Sequence, residues 1–364
     1  MKLKAILIGC GRIAKKHIEV LGQIPDVTIV GVCDVQVERA EEISRLSGAP
    51  AFYNHLEMAS KLKPDIGVVL TDSGSHVSVA LSLVPYVKNL IVEKPMALTL
   101  DDADSLIEAC AYSGVRLFVV KQNRYNLPVL KLRSALEKGR FGKMSMGTVR
   151  VRWCRRQKYY DQDAWRGTWR KDGGVFANQA SHHIDLLQWM MGPVESVQAY
   201  TTTRLVDIET EDVGIAILRF VSGALGVIEA TTATRPKDLE GSLSILGEHG
   251  SVVISGFAVN KIATWNFTHT DPDDAKIDDF SCNPPDVYGF GHHKFYQDIL
   301  GCIESGKRAM LDGFEGRKSL ELIIAIYQAA MTRKEVRLRY IPEHVPLGKA
   351  SRCATPSYTR ELNF

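Results

Sequence analysis

The chain has 364 residues, of which 45% are hydrophobic and 24% charged, and its formal net charge is +3. That length points to two domains, with cores large enough to need no disulfide or metal staple. The near-neutral charge gives no sign of nucleic-acid or membrane binding. The seven cysteines contain no CxxC pair, which argues against zinc and suits a reducing compartment.

The amino-terminal third alternates strand and helix patterns. "KAILIG" is a short apolar run stopped by glycine, and "RIAKKHIEVLGQI" follows with helical periodicity. "VTIVGVCD" is the next strand, then a helix "VQVERAEEISRLSG" that Gly48 caps. "DIGVVLTD", "NLIVEK" and "RLFVV" supply further strands. Helices "SHVSVALSLVPYV" and "LDDADSLIEACAYSG" lie between them, the second with Thr99 or Asp101 as N-cap. This order predicts a parallel sheet covered by helices on both faces. The chain opens directly on a strand and holds no apolar run near the ~20 residues of a membrane span, so a cytoplasmic location is expected.

After Asn123 the texture changes. "KMSMGTVRVRWC", "VESVQAYTTTR", "VGIAILRFV", "GALGVIEATTAT" and "GSLSILGE" read as strands in near succession, separated by glycine-bearing turns. They predict a second, α+β domain built on a large, mostly antiparallel open sheet. One helix is expected over 173–191, and two more over 291–305 and 313–331. The domains are expected at 1–123 and 124–340, with a peripheral tail at 341–364.

Gly9-Cys10-Gly11-Arg12-Ile13-Ala14 reads GxGxxA, between the first strand and the first helix. Gly9 makes the tight turn, Gly11 lets the backbone approach a pyrophosphate, and Ala14 lets the helix pack close to the sheet. The first turn at Arg12 and Ile13 adds free N–H donors. Asp34 ends the second strand, where an acid accepts from ribose hydroxyls. No arginine adjoins it, so NAD is expected rather than NADP. Thr71, Ser75 and His76 follow the strand "IGVVL" and either line the cofactor or cap the next helix.

The stretch "DGGVFANQASHHIDLLQWMMG" reads as a helix entered through two glycines. Asn178, His182, Asp185 and Trp189 share one face, and His183 is turned away from His182. Such a stripe either presents polar groups to a cleft or belongs to a buried helix whose polar residues are satisfied internally. Lys94, in "IVEKPMALTL", is in the same way either a surface residue at a strand end or a catalytic cation.

GxGxxA, then Glu93-Lys94-Pro95, then "NRY" after the next strand, then "GGVFANQASHHIDLLQW", together resemble the Gfo/Idh/MocA oxidoreductases. The resemblance covers all but the tail. It implies a Rossmann domain followed by an α/β domain whose open sheet builds dimers or tetramers, and a nicotinamide cofactor. It implies that Lys94 is the active-site lysine, on a peptide to Pro95 that is often cis, and that His182 is the catalytic histidine. Glu93 and Gln122 fall on the cofactor side, and Asn123, Arg124, Tyr125 and Asp185 on the substrate side. Relatives often carry aspartate where this chain has Asn178. An asparagine can bind a hydroxyl but cannot take its proton, so acid–base work shifts to His182.

Between Arg150 and Lys171 the chain holds eight Lys or Arg, two Asp and five aromatics. Arg150 and Arg152 read as solvated strand residues, whereas Trp165 and Arg166 match a family pair placed against the cofactor. With Tyr288, His292 and His293 near the last helices, this connector points to an anionic substrate. These stretches most resemble the subgroup that oxidises the 3-hydroxyl of UDP-linked N-acetylglucosaminuronate, an early step of O-antigen sugar synthesis. An inositol- or hexose-type dehydrogenase, a non-catalytic NAD-binding sensor and a nicotinamide-dependent glycosidase stay open as alternatives. No metal is expected.

Overall fold

Short apolar runs ending in glycine or an acid become the strands of a six-stranded sheet. In the computed structural model, which describes residues 2–256, 258–281 and 289–338, these are β1 (Leu3–Ile8), β2 (Val27–Cys33), β3 (Ala51–Phe52), β4 (Ile66–Val69), β5 (Asn89–Val92) and β6 (Arg116–Val119). All pair in parallel, in the order β3-β2-β1-β4-β5-β6. Every residue of β4 and β5 is buried, as in strands covered on both faces. The covering helices are α1 (Arg12–Gly22), α2 (Val37–Ser47), α3 (His55–Leu62), α4 (His76–Leu83) and α5 (Leu100–Tyr112). Gly48 ends α2 at φ +72°, and the Thr99 hydroxyl accepts from the Asp102 amide at the start of α5. The strand order reverses between β1 and β4. A crevice therefore opens at their carboxyl ends, where Gly9 and Thr71 lie.

After α6 (Leu127–Glu137) comes an eight-stranded sheet. Its members are β7 (Met144–Arg152), β8 (Val194–Thr202), β9 (Val213–Phe220), β10 (Leu225–Thr231), β11 (Glu240–Gly247), β12 (Gly250–Ser255), β13 (Lys261–Phe267) and β14 (Val336–Arg337). The order is β13-β12-β11-β7-β10-β9-β8-β14, antiparallel throughout except for β7 with β10. The sheet is thus mostly antiparallel, as the alternating pattern predicts; β12 and β13 extend it beyond the strands read from sequence. Arg150 and Arg152 are not simply solvated. Arg152 pairs with Glu229 at 2.6 Å, and both arginines reach Glu240, which makes a cross-strand ion ladder.

The remaining helices are α7 (Gln157–Tyr160), α8 (Ser181–Met191), α9 (Gly291–Ser305) and α10 (Gly313–Thr332). α9 packs back onto the first sheet, where Phe295, Tyr296 and Ile299 join Ala14, Ile18 and Phe118. α10 bridges both domains, with Leu320 in the first-sheet core and Leu322, Ile323 and Ile326 in the second. Among the described residues no helix is long and apolar enough to cross a membrane. The tail over 341–364 lies outside the described residues.

The helix expected over 173–191 is interrupted. Val175–Gln179 forms a π-helical turn, with the Ala180 amide bonded to the Val175 carbonyl at 2.8 Å, and α8 starts only at Ser181. A buried clamp holds this turn. The Glu211 Oε1 accepts from the Phe176 amide at 3.0 Å and from the Tyr327 hydroxyl at 2.9 Å. The same hydroxyl accepts from the Gly174 amide at 3.1 Å and the Ala177 amide at 3.3 Å. Gly174 is needed here, because a Cβ would lie 2.0 Å from Glu211 Oε2.

Burial pushes the Glu211 carboxyl up to about 7 from an ordinary 4.5, since Oε2 has no hydrogen-bond partner. A carboxyl raised on folding stabilises the fold fully below its unfolded value and loses that contribution as pH rises through the folded value. The wild type is therefore expected to lose about 3 kcal/mol from this group between pH 4.5 and 7. Glu211→Gln, which keeps the accepting oxygen, is expected to lack that slope. Urea unfolding of both proteins at pH 5 and pH 8 checks it; parallel profiles would dismiss the clamp as a titrating element.

Candidate active site

The crevice begins at the β1–α1 turn. Gly9 has φ +99°, and a Cβ there would lie 2.5 Å from the Leu70 backbone, so no other residue fits. A Cβ on Gly11 would meet nothing within 4 Å, so its backbone faces open space. α1 has no side-chain cap, which leaves its first N–H groups for an anion. Asp34 is locked by the Cys10 amide at 2.8 Å and the Gln36 amide at 2.9 Å, and its carboxylate lines the crevice. An open glycine cradle, unsatisfied helix donors and a fixed carboxylate fit a dinucleotide whose ribose hydroxyls donate to Asp34. That same charge repels a 2′-phosphate. Arg39, which the sequence reading passed over, lies on α2 but donates to Asp163 at 2.6 Å.

Glu93 follows β5 directly, and the Lys94–Pro95 peptide is cis. Lys94 Nζ donates to the Asn178 carbonyl at 2.9 Å, so the lysine reaches the π turn directly. Burial lowers the Lys94 ammonium's pKa, opposed by the charges of Glu93 and Asp172. His76 is buried rather than on the surface. Its Nδ1 lies 2.8 Å from the Pro95 carbonyl and its Nε2 3.1 Å from the Thr71 carbonyl, tying the β4 loop to the lysine turn. Ser75 bonds back to Asp72 within the same loop.

His182 opens toward the cleft, whereas His183 is fully buried against Trp153 at a ring separation of 5.8 Å. Burial and then the Lys94 charge lower the pKa of His182 well below its ordinary value, so the ring is neutral near pH 7. Asn178 donates from Nδ2 to Asp172, a carboxylate the sequence reading missed although it immediately precedes the glycine pair. Asp172 also accepts from the Gly167 amide at 2.7 Å. Asp172 thus places an acid one contact away from the Asn178 position.

The basic connector closes the cleft from the second domain. Arg155 lies over Trp153 and Tyr159, and Arg166 over Tyr159 and Trp165, at 4.5–5.5 Å from the ring centres. Arg166 also donates to the Tyr159 hydroxyl at 2.8 Å and to Asp163 at 3.1 Å. Arg155 and Tyr159 are further cleft residues that the sequence reading did not single out; the signal was their place in the aromatic, basic run. The cleft measures about 1440 Å³. This exceeds the roughly 300–1,000 Å³ of a single-ligand pocket and leaves space for a second large molecule beside a dinucleotide.

Of the residues expected here, Gly9, Gly11, Arg12, Ile13, Asp34, Thr71, Ser75, His76, Glu93, Lys94, Gln122, Trp165, Arg166, Asn178 and His182 all line this cleft. Others do not. Asp185 is buried and accepts from Lys121 at 2.7 Å and from Arg124 at 2.7 and 2.8 Å, so these charges satisfy each other. Arg124 also pairs with Glu315 and stacks on Trp189. The shared stripe of Asn178 and Asp185 fails because the π turn changes the helical register between them. Tyr125 donates to Asp298 at 2.6 Å, and Asn123 is buried outside the cleft lining. His292 lies beneath Glu93, wholly buried. Against the expectation of substrate contacts, Asp185, Arg124, Tyr125 and His292 make internal contacts and, like Asn123, do not line the cleft. Tyr288 lies outside the described residues.

A glycine cradle with a fixed acid beside it, and a lysine and a neutral histidine on the same cleft, fit an NAD-dependent dehydrogenase. The description "Oxidoreductase family, NAD-binding Rossmann fold" matches residues 3–121, and "GFO/IDH/MocA C-terminal domain" matches residues 129–253. The chain belongs to the Gfo/Idh/MocA oxidoreductase family.

Among solved structures, the WlbA dehydrogenase from Bordetella pertussis in complex with NADH and UDP-GlcNAcA is 43% identical, with a TM-score of 0.90, covering 93% of this chain and 98% of that one. The WlbA dehydrogenase from Chromobacterium violaceum, also with NADH and UDP-GlcNAcA, is 40% identical, with a TM-score of 0.89, covering 93% and 97%. The myo-inositol 2-dehydrogenase of Thermotoga maritima is 25% identical over 342 residues, covering 92% of this chain and 98% of that protein.

Proposed function

We propose that the protein oxidises the 3-hydroxyl of a UDP-linked N-acetylhexosaminuronate, UDP-GlcNAcA in the first instance, with NAD as hydride acceptor. The observation that carries this reading is identity of 40–43% across nearly the whole chain with two enzymes solved with NADH and UDP-GlcNAcA. The large, arginine- and aromatic-lined cleft supports it, because such a substrate brings a diphosphate and a carboxylate. Bound NAD supplies a ring that takes up hydride. The chain's own residues manage the proton and the charge. Neutral His182 accepts the hydroxyl proton. The Lys94 ammonium stabilises the negative charge that develops on the same oxygen. Asn178, held by Asp172, orients the substrate. The product would be a 3-keto sugar nucleotide on the way to O-antigen sugars.

Full-length similarity to myo-inositol 2-dehydrogenase favours a second reading, a free polyol or hexose dehydrogenase. Thermal shift separates the two. UDP and UDP-GlcNAcA are expected to raise Tm by several degrees, and inositols to leave it unchanged. Stabilisation by inositol alone would transfer the reading to the second class.

Lys94→Ala is expected to reduce turnover of UDP-GlcNAcA by about 10²–10³-fold with NADH affinity little changed. His182→Asn is expected to cost about 10²–10⁴-fold. Absorbance at 340 nm and NADH fluorescence titration check both; near-wild-type turnover in either variant removes that residue from the mechanism.

The outer face of the second sheet exposes Tyr200 at 67%, Ile215 at 49%, Ile217 at 57% and Leu225 at 46% on neighbouring strands. This strip supports a homo-oligomer, dimer or tetramer, formed through the sheet. Ile217→Glu is expected to sediment as a smaller species than the wild type. A monomeric wild type would refute the assembly.

A further inference from the structure

We propose that Tyr296 and His17 form a buried hydrogen-bond relay that fixes Glu93, and through Glu93 the backbone of Lys94, so that α9 positions the active-site lysine. The inference rests on the reading of Lys94 as the cation at the reacting oxygen.

Three elements distant in sequence meet here. His17 comes from α1, Glu93 from the residue directly after β5 and Tyr296 from α9; His17 and Tyr296 are wholly buried and Glu93 is 6% exposed. His17 Nδ1 lies 2.6 Å from the Tyr296 hydroxyl, and His17 Nε2 lies 3.1 Å from Glu93 Oε1. Glu93 Oε2 accepts from the Lys94 amide at 2.9 Å.

The chemistry fixes the direction of the bond to Glu93. Burial works to raise the Glu93 carboxyl. The His17 hydrogen bond and the charges of His17, His292 and Lys94 instead hold it at about 2. Glu93 is therefore ionised and can only accept, so His17 Nε2 carries hydrogen. On the other side of the ring, Nδ1 shares a hydrogen bond with the Tyr296 hydroxyl at 2.6 Å. The Tyr296 hydroxyl keeps its proton, because burial and the Glu93 charge raise its pKa well above the ordinary value. Neither Tyr296 nor His17 lines the cleft, so both are positioning residues.

Glu93 also acts through charge. Lys94 faces Glu93 on its own turn, Asp172 and Arg166 on the connector and His182 on α8. Of these, Glu93 is the foremost group that favours the ammonium. Without the His17 hydrogen bond, a buried carboxylate loses its donor and takes up a proton more easily. Lys94 then loses an anionic neighbour and gives up its proton at lower pH.

The test measures the pH dependence of Lys94 acetylation by acetic anhydride, read by mass spectrometry on the full-length protein, together with turnover of UDP-GlcNAcA. Four proteins are compared: wild type, Tyr296→Phe, His17→Leu and His17→Gln. In His17→Leu the labelling curve is expected to move to lower pH and kcat to fall about 10- to 100-fold, with NADH affinity kept. Tyr296→Phe is expected to shift in the same direction by less. His17→Gln, which can restore an N–H at the Nε2 position, is expected to recover much of the loss. A folded His17→Leu with the wild-type labelling curve and kcat would overturn the relay. Stoichiometric zinc in the purified protein, bound by His17, Glu93 and His292, would also overturn it, because those ligand atoms lie within 4.8 Å of one another. Normal turnover in Lys94→Ala would instead defeat the underlying reading, while the labelling curves still judge the relay.

Discussion

An ammonium group withdrawn from water must recover its lost hydration from nearby carbonyl dipoles and negative charge, and most of this structure is arranged around that need. Lys94 Nζ is held by the Asn178 carbonyl, with Glu93 on one side and Asp172 on the other. Each partner is fixed by something else. Glu93 is bound to His17, Asp172 to the Gly167 amide and to Asn178, and the turn carrying Asn178 is clamped by Glu211 and Tyr327. The lysine is therefore the meeting point of two domains rather than a residue at the end of one strand.

The same charge sets the state of the histidine. Lys94 and burial both act against a second positive charge on His182. At neutral pH this leaves a neutral imidazole beside the lysine. In the function proposed above, the imidazole accepts the substrate's proton and the lysine steadies the oxygen that loses it. Asp185, although on α8 with His182, takes no part in this. Its neutralisation by Lys121 and Arg124 fastens α8 to the residues just after β6, and so keeps the histidine in register with the crevice.

Domain packing serves the cleft as well. α9 fills the first-sheet core, and α10 shares side chains with both cores. The connector crosses above the crevice, where Arg39 reaches Asp163 and the Gly74 amide bonds to the Lys171 carbonyl at 3.1 Å. These contacts join the domains on either side of the dinucleotide crevice.

Local features carried their own meaning. The glycine turn with Asp34, the parallel βα alternation and the antiparallel texture after Asn123 were legible from residue type and short spacing, and Lys94 and His182 became candidates through the resemblance. The resemblance and the helical stripe set Asp185, Arg124, Tyr125 and His292 toward the substrate, whereas the structure buries them away from the cleft lining. Nothing in a sequence says whether a charged side chain meets a ligand or another buried charge, and a single π turn displaces the face of every residue beyond it. Arg39, Glu211 and the His17–Tyr296 contact were invisible for the same reason: their partners lie far away along the chain. The sequence by itself determined the elements and the cofactor crevice, since those follow from local periodicity and backbone freedom. Only the tertiary structure decided which charges neutralise one another and which remain for chemistry, because that depends on distances between segments brought together by folding.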